Sequence, residues 1–237
     1  SSAIEGGAAY AVMRPSATRP TSAFLGFHLL SGVPLFDVTV PCAHSAAARP
    51  AANATAVPTH VWVQCRTEQG INGTVYDGAS GLPVAVASPM PCQQFPTVLA
   101  TPSALVIIGF VAVPPNIQQQ QRGVGTVPSL GFGLAWESAT VSWSNGDLSL
   151  GANRGTAYAV GDRVMTLALN PHPGPCAFAV ADARTGLTSG LSTFECYIAG
   201  GSFGRVDGAP ELVSVGTTDW QTGARTTVLN VSNGAVA

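Results

Sequence analysis

The chain contains no lysine. All ten of its basic residues are arginine, and with twelve acids the charged fraction of the 237 positions is only 9%, against about 25% in an ordinary soluble domain. A net charge of −2 leaves no broad positive field, which excludes nucleic-acid binding through a basic patch. A GC-rich codon bias accounts for arginine in place of lysine, but not for so few charges in total. A surface this weakly charged suits a subunit packed into a larger assembly, or a protein outside the cell, better than a free cytosolic enzyme.

Other absences narrow the chemistry. No C-x-x-C, H-E-x-x-H, P-loop or EF-hand spacing occurs, which removes the common zinc, nucleotide and calcium signatures. The four histidines, His28, His44, His60 and His172, show no ligand spacing, so neither metal nor cofactor is expected. The longest apolar run, Ala104 to Val113, is far short of the roughly 20 residues that span a bilayer. No window carries a helical apolar stripe without Gly or Pro, so almost no helix is expected. No internal repeat is evident. The first residues are Ser1-Ser2 rather than Met, the start expected of a mature or excised product.

Gly and Pro, 27 and 18 residues, divide the sequence into short runs rich in Val, Thr and aromatics. Among these are Ala23–Leu30, Leu35–Val40, His60–Arg66, Ala139–Ser144, Arg163–Leu169, Ala177–Ala181 and Ser192–Ala199. Ala139–Ser144 alternates strictly and leads into Asn145-Gly146, a hairpin signal expected to return along Asp147–Leu150. The run Val106, Ile107, Ile108, Phe110, Val111 is continuous, as in a strand buried on both faces. The fold class read from these patterns is all-β: an antiparallel β-sandwich, jelly-roll-like or concanavalin-like. The domain reading is one sandwich over 1–237 with a long exposed loop near 114–128. The alternative is two small β domains, 1–113 and 129–237.

Five cysteines are present. Cys176 and Cys196 lie on or beside neighbouring predicted strands and are expected to pair, which leaves one of Cys42, Cys65 and Cys92 free or paired outside the chain. Three N-glycosylation triplets occur, Asn53-Ala-Thr, Asn72-Gly-Thr and Asn230-Val-Ser, and lend some weight to export. Two carboxylates stand in apolar company: Glu137 after Trp136, and Glu195 in Phe194–Ile198. Asp182 and Arg184 read as a local turn pair.

The segment Val160-Gly161-Asp162-Arg163-Val164, followed by Ala177–Val180 and Arg184-Thr185-Gly186, resembles a hairpin of the eqolisin glutamic peptidases. The resemblance covers Val160–Gly186 and implies a two-sheet antiparallel sandwich. It also implies a Glu–Gln catalytic pair, with Glu195 as the carboxylate (Glu137 being the other candidate) and Gln64 or Gln69 as the nearest glutamines.

Three functions remain open from the sequence. The favoured one is a non-enzymatic structural β domain of a virus capsid or particle surface, in a homo- or hetero-oligomer with other protein subunits. The second is a secreted glutamic-peptidase-like hydrolase. The third is an extracellular carbohydrate-binding or adhesion module using Trp62, Trp136, Trp143 or Trp220. The expected location is the virion surface or the extracellular space.

Overall fold

A computed structural model describes residues 2–67, 70–90, 92–111, 129–150, 155–168, 176–194, 200–206, 209, 211–219 and 223–235. Among them every regular element is a strand. Three four-stranded meanders take the strands in chain order. The first is β1 (Ser2–Glu5), β2 (Ala8–Met13), β3 (Ser22–His28) and β4 (Pro34–Val40). The second is β5 (Ser45–Ala48), β6 (His60–Thr67), β7 (Gly70–Asp77) and β8 (Pro83–Val86). The third is β13 (Thr156–Val160), β14 (Arg163–Ala168), β15 (Cys176–Asp182) and β16 (Thr188–Phe194). A further four-stranded sheet holds β9 (Cys92–Ala100), β10 (Leu105–Val111), β11 (Ser129–Leu134) and β12 (Val141–Asn145). The last sheet has three strands, β17 (Gly200–Arg205), β18 (Leu212–Asp219) and β19 (Gly223–Asn230). The pairings within these meanders are antiparallel.

The sandwich expectation is therefore corrected. Among the described residues there are five separate sheets, each a run of sequence neighbours, and they form no two-sheet sandwich. Alternation and turn density read the same in both architectures, because both are built from short antiparallel strands; which strand pairs with which is not encoded in either signal. The described chain divides into two compact units. One is Ser1–Cys92 with Ala100–Leu105 and Leu134–Val141, and the other is Gln93–Leu99, Val106–Gly133 and Ser142–Ala237. The loop expected near 114–128 lies outside the described residues.

Each unit packs sheet on sheet. In the first, Tyr10, Phe24, Phe36, Val61, Val63 and Tyr76 share one core, with Phe24 4.9 Å from Phe36 and 5.1 Å from Tyr76 between ring centroids. In the second, β14 and β15 are buried on both faces. Met165, Leu167, Phe178 and Val180 meet Val213, Val215 and Leu229 on one side. Val164, Ala179 and Ala181 meet Val106, Ile108, Leu148 and Leu150 on the other. Double-sided burial explains why the inner strands read as continuous apolar runs rather than alternating ones.

A repeat that the sequence does not announce governs the turn after the third strand of every sheet. Starting at His28, Asp77, Ala135, Asp182 and Asn230, the first residue's N–H donates to the carbonyl five residues on (2.8–3.1 Å for the pairs His28–Val33, Asp77–Leu82, Ala135–Thr140, Asp182–Leu187 and Asn230–Ala235). The fifth residue's N–H donates back to the first carbonyl at 2.8–2.9 Å. The starts recur about 50 residues apart, a spacing typical of repeat architectures. The fifth residue has positive φ in all five: Gly32 66°, Gly81 68°, Gly186 71°, Gly234 70° and Ala139 53°. Only glycine takes this region without a Cβ penalty. A hydroxyl or amide at the fourth position accepts from the sixth residue's N–H in each, as Ser80 does from Leu82 at 3.4 Å and Asn233 from Ala235 at 3.0 Å.

Two sequence expectations change here. Asn145-Gly146 makes no hairpin, and Asp147–Leu150 is not a strand. Instead Asn145 donates its side-chain amide to Gly186 O (2.7 Å) and Thr188 Oγ1 (2.9 Å), and Leu148 and Leu150 enter the core. Asp182 does not meet the Arg184 guanidinium as a turn pair; its Oδ1 accepts from the backbone N–H of Arg184 (3.1 Å) and Thr185 (3.0 Å). The buried run holds: Leu105, Val106, Ile107 and Ile108 are each 0% exposed, while the side chains of Phe110 and Val111 lie outside the described set.

Unfolding measurements test the buried run and the turns. Ile107→Ala is expected to cost roughly 2–5 kcal/mol; a loss under about half a kcal/mol in a urea titration would show that the strand is not core. Ala139→Gly is expected to raise the unfolding midpoint, because the left-handed penalty of about 1–2 kcal/mol exceeds glycine's usual cost of about 0.5–1 kcal/mol. Gly186→Ala should lower it, since a Cβ there would sit 2.4 Å from the Trp143 ring.

Candidate functional site

Glu137 is the best-described of the catalytic candidates, and the fold gives it a partner rather than a reaction. It lies in the Ala135–Ala139 turn, exposed, and accepts from Arg49 Nη1 at 2.9 Å. Arg49 also donates through Nε to Pro102 O at 2.8 Å. Its Nη1 lies 3.2 Å from His60 Nδ1. An arginine can only donate, so His60 Nδ1 is the acceptor and the ring's proton sits on Nε2. Trp136 is fully buried beneath, its Nε1 donating to Thr101 O at 2.9 Å, with the His60 ring 6.3 Å away.

Electrostatics agree with a structural role. A hydrogen bond from its own backbone amide, then the Arg49 contacts, hold the Glu137 carboxyl below its usual range. A general acid would need the opposite shift. Burial, then the neighbouring Arg49 charge, lower the His60 pKa, against weaker opposition from Glu137 and Asp77.

The other candidates do not join it. Gln64 is buried at 4% exposure, its Oε1 without a hydrogen-bond partner, while its backbone carbonyl accepts from His44 N–H at 2.8 Å. Gln69 and Glu195 lie outside the described residues. The described part of the segment behind the eqolisin resemblance, Val160–Gly186, runs from the end of β13 through β14 and β15 to the repeated Asp182 turn, all in one four-stranded sheet, so the implied sandwich is not what it builds. Trp62 and Trp136 are fully buried and Trp143 is half-buried over Gly133 and Gly186, and Trp220 lies outside the described residues; no row of exposed Trp forms among the described residues. There is also no cluster of three His, Cys, Asp or Glu among the described residues that could hold a metal, and no helix among them long and apolar enough to cross a membrane.

The cysteines act as staples. Cys42, just past β4, bonds to Cys65 on β6 with Cα atoms 5.5 Å apart. Cys176 is also disulfide-bonded; its expected partner, Cys196, lies outside the described residues. Cys92 is free and buried, and burial pushes its thiol up to about 11.

What the sequence reading missed is the outer edge of the sheets. Apart from Ile4 and Met13, all the exposed large aliphatics of the described residues lie in the repeated turns and the strands after them: Leu29, Leu30, Val33, Leu82, Val84, Val86, Val141, Leu187 and Leu191. Strand β8 carries the densest set. Leu82, just before it, is 63% exposed, Val84 45% and Val86 70%, and a register shift against β7 falls between Pro83 and Ala85. β8 is the last strand of its sheet and pairs only with β7 within it. The signal was legible as Leu-Pro-Val-Ala-Val, but a sequence cannot say which strand is an edge.

His60 supplies a pH test. Its folded pKa is depressed below 6.5, so the stability it contributes is complete above that value and is lost as pH falls from about 6.5 toward the folded pKa. The urea midpoint of the wild type is expected to drop between about pH 7 and pH 5 more than that of His60→Gln. Identical slopes would show that the His60 pKa is the same in the folded and unfolded states.

No protein-family model matches the sequence, and no curated protein matches it. Solved structures do. BamB from Moraxella catarrhalis aligns over 100% of this chain and 62% of its own length, with a TM-score of 0.52 and 15% identity. The β-propeller domain of the trilobed protease from Pyrococcus furiosus aligns over 100% of this chain and 68% of its own, with a TM-score of 0.59 and 10% identity. TolB from Acinetobacter baumannii aligns over 98% and 51%, with a TM-score of 0.51 and 12% identity. The chain thus spans about half to two thirds of these structures. At such identities the likeness concerns fold alone: the solved structures are β-propeller proteins, and the four-stranded meander sheets of this chain are of the kind that form propeller blades, which overturns both the sandwich and the virion-capsid reading.

Proposed function

We propose that the protein binds an extended polypeptide along the outer edges of its blades, with β8 as the principal docking strand. The observation that carries this is the exposure of Leu82, Val84 and Val86 at an edge strand. An edge strand offers a row of unpaired N–H and C=O groups to an incoming strand, and alternate pockets or aliphatics supply selectivity. A four-residue strand preceded by Leu82, begun by Pro83 and shifted in register against β7 limits indiscriminate sheet extension while leaving the aliphatic side chains exposed. The sparse charge of the chain fits recognition that depends on apolar contact and backbone pairing. Both partner types, another protein subunit and a second copy of this chain, use the same edge chemistry. An oxidising compartment outside the cytosol is part of the proposal, supported by Cys42–Cys65 and the bonded Cys176.

A labelled peptide of alternating valine and threonine is expected to bind the wild-type protein. The double variant Val84→Lys, Val86→Lys should weaken it by about tenfold or more, equivalent to about 1.4 kcal/mol, with an unchanged far-ultraviolet spectrum. Raising salt should change the affinity little. Proline at alternate peptide positions should abolish binding by removing the donors. Equal binding of the proline peptide, or no effect of the lysines, would overturn the edge-strand reading; sedimentation of the free chain separates self-association from a foreign partner.

A further inference from the structure

The fold treats the three Asn-x-Ser/Thr triplets differently. Asn72 lies within β7 opposite Cys65, the residue bonded to Cys42, and its Oδ1 is buried without a hydrogen-bond partner. Asn230 ends β19 and begins a repeated turn. Its Oδ1 accepts from Ser232 N–H at 2.8 Å and from the Ser232 hydroxyl. Both residues are half-buried and sit in paired strand, Asn72 opposite Cys65 and Asn230 opposite Leu212.

Asn53 is exposed in the connection from β5 to β6. Its Oδ1 accepts from Thr55 N–H (3.0 Å), Thr55 Oγ1 (2.9 Å) and Ala56 N–H (2.8 Å). Its Nδ2, the atom a glycan takes, donates no hydrogen bond to the described residues. The turn stands on a fixed base. Gly7 N–H donates to Ala56 O at 2.9 Å, Ala51 N–H donates to Glu5 Oε1 at 3.2 Å, and a Cβ at Gly7 would fall 2.2 Å from Thr55 O. The protein thus holds the carboxamide oxygen and the threonine hydroxyl side by side and leaves the amide nitrogen for modification.

We propose that Asn53 carries an N-linked oligosaccharide and is the one occupied site of the three. The donor is a lipid-linked diphospho-oligosaccharide supplied by the secretory apparatus. The Asn53 Nδ2–C1 bond forms, the bond from C1 to the diphosphate oxygen breaks, the lipid diphosphate departs, and one amide proton is lost. The disulfides point independently to the compartment in which this donor is met. A bulky hydrophilic glycan also adds solubility to a surface with few charges. This inference does not rest on the peptide-docking reading.

The test is to secrete the full chain from eukaryotic cells behind a cleavable leader and to measure its intact mass before and after peptide N-glycosidase, which leaves aspartate where the glycan was. One glycan is expected, with aspartate at position 53. Thr55→Ala should abolish it while leaving the backbone bonds to Asn53 Oδ1 in place, and Thr55→Ser should restore it. Asn72→Gln and Asn230→Gln should retain it. A secreted, disulfide-bonded chain without glycan, a glycan on Asn72 or Asn230, or one that survives Thr55→Ala would overturn the proposal.

Discussion

The turn after the third strand of each blade is the constraint on which the rest of the structure depends. Two backbone hydrogen bonds and one residue of positive φ reverse the chain five times in the same way. The first-position side chain then differs: aspartate at 77 and 182, asparagine at 230, histidine at 28 and alanine at 135. Where it is Asp or Asn it caps the turn's own N–H groups, and local capping of this kind is what makes such residues turn formers. At Ala135 no cap exists, and the fifth residue is Ala139 rather than glycine, so this turn relies on neighbours, among them the buried Trp136 bonded to Thr101.

The same turns fasten one blade to the next within each unit. Phe36 lies over Gly81, Trp143 over Gly186, and Gly190 against the backbone at Asn233 and Gly234. A residue of an outer strand thus rests on the following blade's turn, where a Cβ would collide. Trp143 adds a hydrogen bond to Ala183 O at 2.9 Å. Conformation and contact therefore demand the same residue type at the same place, and this consistency across levels favours a single packing arrangement.

The candidate site was legible only in pieces. Glu137 follows a large apolar ring, and residue type alone does not say which way its carboxylate points. The structure separates the two: the ring goes inward and the carboxylate outward to Arg49, 88 residues away in sequence. No local pattern carries that pairing. Gln64 was singled out for its residue type, and it is buried on an inner strand. The edge of β8 escaped notice because three aliphatics at alternate positions look like any half-buried strand until their exposure is known.

By itself the sequence determined the all-β class, the near absence of helix, the buried run through Ile107 and Ile108, and a surface poor in charge. These are properties of composition and of local periodicity, which a single segment expresses whatever it packs against. Tertiary structure alone decided that successive strands close into separate blades instead of two facing sheets, that the turns are copies of one design, and which aliphatic strand is left at an edge. Those outcomes depend on pairing between segments distant in the chain, and the free energy of such pairing resides in neither segment alone.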